Sequence, residues 1–187
     1  SAPVEIPAKG HAWGKPQPAG NQTQHIYVCE NNSSHTKTEA CTVETNVADG
    51  YETSLCTLCG YSHSLKLLSI AKTAYAIGES VTVTAHSRTD GSWVGIFRKG
   101  ELPTPKNSLY SFFVLNSADS TDRNGKETEL TDMAFYNTDR DEKLFNGAYT
   151  VMLFGDSGCD NVLASQDITV CTDMSKTEFK ISLDGEV

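Results

Sequence analysis

Cysteine and histidine are the residues of this chain whose types and spacing could do chemistry. Cys56 and Cys59 sit in LCTLCGYSHS (55–64), a C-x2-C-G pattern. Such a turn points two thiolates at one ion, and the glycine after it frees the backbone so that N–H groups reach sulfur. His11, His25, Cys29, His35 and Cys41 lie upstream, and His63 follows. His35-x5-Cys41 supplies a second half-site. His35, Cys41, Cys56 and Cys59 are therefore the expected zinc ligands. Cys29 paired with Cys41 would give an all-cysteine set instead. Cys29, His25 and His11 are alternates, or the makings of a second site. Four protein ligands close a tetrahedron, so one structural zinc is expected, with no position left for substrate.

Two other chemistries compete for the same cysteines. A disulfide framework, Cys29–Cys41 with Cys56–Cys59 or crossed, suits an oxidising compartment. A bridge closed across C-x2-C alone is strained, and disulfides have no use for the histidines. A thioredoxin-like redox pair needs a βαβ context that the flanking sequence lacks. Taken singly, His25 and His63 read as ordinary surface residues.

The elements that must position these groups follow from composition. Residues 25–64 hold few aliphatics: Ile26, Val28, Val43, Val47, Leu55 and Leu58. That is too little apolar surface for forty residues to fold without a staple. Residues 1–24, rich in Pro, Gly and Gln, read as an extended lead-in. From Leu65 the texture changes. SVTVTAH (80–86), SWVGIFRK (92–99), SLYSFFVLN (108–116), AYTVMLFGD (148–156) and SQDITV (165–170) are β-rich runs between turn clusters. Short strands at this spacing, without amphipathic helices between them, indicate an antiparallel sandwich. The expected order is a lead-in (1–24), a Cys/His-rich zinc-ribbon-like unit (25–64), a β-sandwich (65–173) and a terminal strand or linker (174–187). The expected fold class is mainly β, with a small metal- or disulfide-stapled β-ribbon before the sandwich.

Trp93, Ile96, Phe97, Tyr110, Phe112, Phe113, Tyr149, Val151, Leu153 and Phe154 are expected to fill two inner faces of that sandwich. Trp93 could instead be a sugar-stacking platform, but a tryptophan inside a hydrophobic run favours the core. Eleven residues lie between Cys159 and Cys171, with no histidine near them in sequence. They are expected to form a disulfide contributing on the order of 2–3 kcal/mol by loop-closure entropy.

The 187 residues carry a net charge of −9, with a sequence pI of about 4.9. Such a surface repels phosphate backbones, which excludes nucleic acid as the expected partner. No run approaches the roughly 18 apolar residues of a membrane helix, so no membrane insertion is expected from this segment. SAPVEIPAKG has no signal-peptide architecture. The abundance of Ser, Thr, Asn and Gly is common in exported proteins. No GxSxG, HExxH or P-loop occurs. His86, Asp90 and Ser92 supply triad residue types with nothing to orient them. The acidic residues are too many for a glycosidase pair to be inferred. The Asp-rich loops DSTDRN (119–124) and NTDRDE (137–142) offer the oxygen ligands that calcium takes.

Two stretches also resemble known modules. HAWGKPQPAGNQTQHIYVCENNSSHTKTEAC with ETSLCTLCGYSHS, within residues 10–64, resembles His/Cys-rich modules of Gram-positive bacterial surface proteins, often from gut Firmicutes. Those follow H-x-W-G, H-x3-C, H-x5-C and a closing C-x2-C-G. This chain departs at Cys29, which Glu-Asn-Asn follows where some copies carry a second C-x2-C. TAYAIGESVTVTA, SWVGIFRKGELP, SLYSFFV and FNGAYTVMLFGDSGC, within 67–172, resemble the immunoglobulin-like sandwich modules of the same proteins. The resemblance implies a non-enzymatic accessory part of a larger multidomain chain, extracellular, attached to the cell surface or secreted. Display, spacing or adhesion would be its work, with a host or polysaccharide ligand as partner. The alternative is a glycan-binding accessory module of a larger secreted carbohydrate-active enzyme.

Overall fold

The computed structural model describes residues 10–21, 23–130 and 144–172. The chain is mainly β and divides into two compact units, Ser1–Ala48 with Glu52–Leu65, and Asp49–Tyr51 with Lys66–Val187. The segment KTEFKISL (176–183) and the acidic loop 137–142 lie outside the described residues.

The first unit contains two three-stranded sheets. One has the order β1 (Gln17–Pro18), β2 (Gln24–Cys29), β3 (Asn32–Ala40), and the other β4 (Val43–Ala48), β5 (Tyr51–Cys56), β6 (Ser62–Lys66). The Ser/Thr-rich β3 pairs antiparallel with β2 from Gln24↔Ala40 to Cys29↔Asn32. The turn between β4 and β5 is Asp49-Gly50. Both residues have positive φ, 53° and 77°, as a two-residue hairpin of the primed type needs. The lead-in is more ordered than its composition predicts. Gln17 and Pro18 pair with Ile26 and His25, Trp13 bridges to Cys29, and Gly14 N–H donates to the Val28 carbonyl at 3.0 Å. Proline fits there because β1 is an edge strand, where a missing N–H costs no ladder bond.

The second unit holds a sheet of five strands and one of three. The five are β11 (Tyr110–Phe113), β10 (Trp93–Arg98), β15 (Gly147–Phe154), β16 (Val162–Cys171) and β8 (Ala74–Ala76), in that order. All neighbours are antiparallel except β16 with β8. The three are β14 (Glu127–Glu129), β9 (Thr82–Ala85) and β7 (Leu68–Ile70). A short ladder joins β12 (Leu115–Asn116) to β13 (Thr121–Asp122). Leu68, Val83 and Ala85 from the smaller sheet share one apolar core with Val94, Ile96, Phe112, Val151, Leu153, Ile168 and Val170 from the larger. Alternation along each strand sets which residues face this core.

The aromatic residues of β10 and β15 do not all face it. Strand β10 is buried on both faces, with Val94 and Ile96 in the main core and Trp93 and Phe97 on the other side. Phe154 pairs opposite Trp93, and their rings stack 4.6 Å apart. Trp93 is fully buried and its Nε1–H donates to the Gly158 carbonyl at 2.8 Å. It is a core residue, not a surface platform.

Cys159 and Cys171 do not form the expected bridge; both thiols are free. Cys159 lies in the connection after β15 and packs against the Trp93, Phe97 and Phe154 cluster. Cys171 ends β16, where its thiol donates to the Tyr75 carbonyl at 3.8 Å. Strand β16 runs nine steps from Val162 to Cys171. That is roughly 30 Å at extended-strand rise, against the ~7 Å Cα limit of a disulfide. Burial, then the charges of Asp156 and Asp160, push the Cys159 thiol up to about 11.

Candidate metal centre

The first unit has almost no apolar interior. Among its described residues, those buried are His25, Cys29, Glu52 and Cys56. Val43, Val47, Leu55 and Leu58 are exposed. Potential ligands are buried where another small unit would bury leucines.

The ligating atoms of His25, Cys41, Cys56 and Cys59 all lie within 4.8 Å of one another. Each arrives by a local rule. The Cys56 N–H donates to Tyr61 and the Gly60 N–H to Cys56, at 2.8 and 2.9 Å, closing the C-x2-C-G turn. Gly60 has φ +74°, which glycine takes without steric cost. The turn aims the N–H groups of Leu58 and Cys59 at the Cys56 sulfur. Cys41 follows the end of β3, and its N–H donates to Thr23 beside the start of β2. The hairpin therefore places Cys41 next to His25.

His35, the histidine expected from spacing, is elsewhere. It lies near the opposite end of β3 from Cys41. Six steps along an extended strand span roughly 20 Å, so no ion can touch both. His25 is sixteen residues from Cys41 in sequence but close to it across the ladder. The signal that finds His25 is the hairpin register, not the nearest His-to-Cys interval. His35 instead joins His11 and Cys29 in a separate group whose ligating atoms also lie within 4.8 Å of one another. His63 lines a shallow pocket with Cys41, Cys56 and Tyr61 but belongs to neither group.

The geometry of the four-residue set fits a metal. A tetrahedral ion with arms near 2.0–2.3 Å separates its donors by about 3.5–3.8 Å. His25 Nδ1 stands 3.8 Å from the Cys56 sulfur. His25 Nε2 is buried without a hydrogen bond, and Glu39 Oε2 lies 3.8 Å from it. A carboxylate behind the far ring nitrogen is the arrangement that orients a ligating histidine. Lys37 holds Glu39 from the other side at 2.8 Å.

The three sulfurs are in electrostatic conflict without a cation. The Cys59 N–H, then that of Leu58, hold the Cys56 thiol down to about 6 against the effect of burial. Burial, then the neighbouring Cys56 and Cys59 sulfurs, push Cys41 up to about 12. A divalent ion at the centre would resolve this by favouring every thiolate together. The cluster can therefore hold a metal ion, and its four donors would close a tetrahedral shell.

Residues suggested for other chemistry are occupied. Asp90 accepts hydrogen bonds from the Ser117 N–H and hydroxyl, both at 2.7 Å, rather than from His86. In the loop 119–124, Asp119 and Asp122 accept the N–H groups of Thr121 and Asn124. These carboxylates shape turns, and among the described residues no acidic group converges with them into a cation site. The chain matches no protein-family model, no curated protein and no solved structure.

Proposed function

We propose that the chain is a non-enzymatic extracellular module of a bacterial surface protein, serving display, spacing or adhesion. Its first unit is a zinc-stapled β-ribbon and its second an immunoglobulin-like sandwich. One observation carries the reading: the buried residues of the first unit are largely its potential metal ligands. A Cys3His set is a zinc set, and filled by protein donors it is structural, not catalytic. Binding energy is then folding energy.

Strand order supports the immunoglobulin-like assignment. Strands β7, β9 and β14 share one sheet, while β10, β15 and β16 are consecutive neighbours in the other. This is the arrangement of strands A, B and E against C, F and G. Near the start of β15 the Tyr149 hydroxyl donates to the Phe145 carbonyl at 2.9 Å, four residues upstream. Such a tyrosine corner is a hallmark of that architecture.

Zinc retained through purification should fall by one equivalent per chain in Cys59→Ser, with loss of the tightly held ion. A zinc content in that variant undiminished from the native chain would overturn the staple. For the location, mild proteolysis of intact source cells should release this segment. Release only after lysis would overturn the surface assignment, and retention on a glycan array would favour a carbohydrate-binding accessory module.

A further inference from the structure

We propose that His11, Cys29 and His35 form a second zinc site, with three protein ligands and a fourth position open to solvent. Its ligating atoms all lie within 4.8 Å of one another, with Cys29 buried and both histidines exposed. It is independent of the Cys3His cluster, sharing no residue with it.

The two sites are built on one plan. The central strands of the two sheets, β2 and β5, end on Cys29 and Cys56. The Cys29 sulfur accepts the N–H groups of Asn31 and Asn32, as the Cys56 sulfur accepts those of Leu58 and Cys59. The offsets of two and three residues are the same in both. The next residue makes the same cross-link in each. Glu30 N–H donates to the Ala12 carbonyl at 2.7 Å, and Thr57 N–H to Thr42 at 3.0 Å. Ala12 follows His11 and Thr42 follows Cys41, so His11 stands where Cys41 stands. By the same correspondence Asn32 stands where Cys59 stands. The fourth corner differs: His35 comes from β3, whereas His25 comes from β2.

Asn32 explains why the second site is open. Its Oδ1 is already engaged by the N–H and hydroxyl of Ser34, at 3.0 and 2.7 Å. Its Nδ2 lies 3.4 Å from His35 Nε2. A side-chain amide used in this way does not replace a thiolate. Meanwhile His11 is held by stacking on Trp13, ring centroids 4.8 Å apart. One thiolate and two neutral imidazoles suit Zn2+ and leave the complex cationic, so a water completes the tetrahedron. That water exchanges with small nitrogen ligands, which a closed Cys3His site does not permit.

The test uses the full chain, stripped by a chelator and titrated with Co2+ under reducing conditions. About two equivalents should bind, the tighter with three-thiolate charge-transfer absorption and the weaker with the band of one thiolate. Added imidazole should shift only the visible bands of the second. The double variant His11→Ala/His35→Gln, altering two exposed residues, should bind about one equivalent with the first spectrum intact. Asn32→Cys should roughly double the thiolate absorption of the second equivalent and abolish its response to imidazole. Saturation of the native chain at one equivalent, a double variant that still binds two, or an Asn32→Cys spectrum like the native one would each overturn the proposal. Loss of the three-thiolate spectrum in Cys59→Ser concerns the other cluster and leaves this result separate.

Discussion

Gly95 shows how a single missing atom permits the packing of β10. A Cβ at this position would lie 2.6 Å from Trp93 Cζ3 and 3.0 Å from the Phe97 ring. Both rings are fully buried, so neither can swing into solvent. Gly95→Ala must shift the strand or force the rings from their rotamers, an overpacking cost of about 1–3 kcal/mol. Urea unfolding should show a lower midpoint at unchanged slope; an unchanged midpoint would mean that the rings yield freely. A second residue-scale effect concerns acid. Hydrogen bonds from the Ser117 hydroxyl, then the Ser117 N–H, hold the Asp90 carboxyl below its ordinary range. A carboxyl lowered on folding stabilises the native state fully above its unfolded pKa of about 4, and the benefit fades as pH falls through the lower folded value. Melting temperatures of the native chain and Asp90→Asn should therefore differ at neutral pH and converge below pH ~4. A constant difference across that range would show that the ionised form has no special role.

At the scale of elements, the legible features were those carried by short-range pattern. The strands β9, β10 and β11 fall within runs whose alternation or β-branched and aromatic content marked them, while β15 begins one residue before its run and β16 extends past its run at both ends. The C-x2-C-G turn also lay open, because four consecutive residues and a glycine determine its geometry. What stayed hidden depended on pairing. His35 and Cys41 are close in sequence, yet β3 is extended and carries them apart. His25 reaches Cys41 only because Gln24 pairs with Ala40. The Cys159–Cys171 expectation failed in the same way, since an extended strand converts eleven intervening residues into distance. Two-sided burial of β10 was illegible for another reason. Periodicity tells which residues share a face, but not that both faces will be covered. The pairing of β1 with β2 was masked by proline and glycine, whose usual meaning is irregular chain, although an edge position removes the objection.

For the whole molecule, the two units differ in what replaces water around their interiors. The second buries Val81, Val83, Val94, Ile96, Leu130, Val151 and Leu153 almost completely, so its stability rests on apolar area. The first buries sulfur and imidazole, and those groups stabilise a fold only when something binds them. Chelation should therefore act on one unit and spare the other. In amide correlation spectra of the zinc-loaded chain, a strong chelator under reducing conditions should collapse the resonances of residues 25–48 and 52–65. Those of β9, β10, β15 and β16 should stay dispersed, and added zinc should restore the rest. If the first unit keeps its dispersion with every thiol open to alkylation, the ligands form a polar core that needs no ion. If both units collapse together, the apolar core of the second is not self-sufficient. The net charge of −9 sharpens the contrast, because a divalent cation is also the most direct relief for a thiolate cluster in an acidic chain.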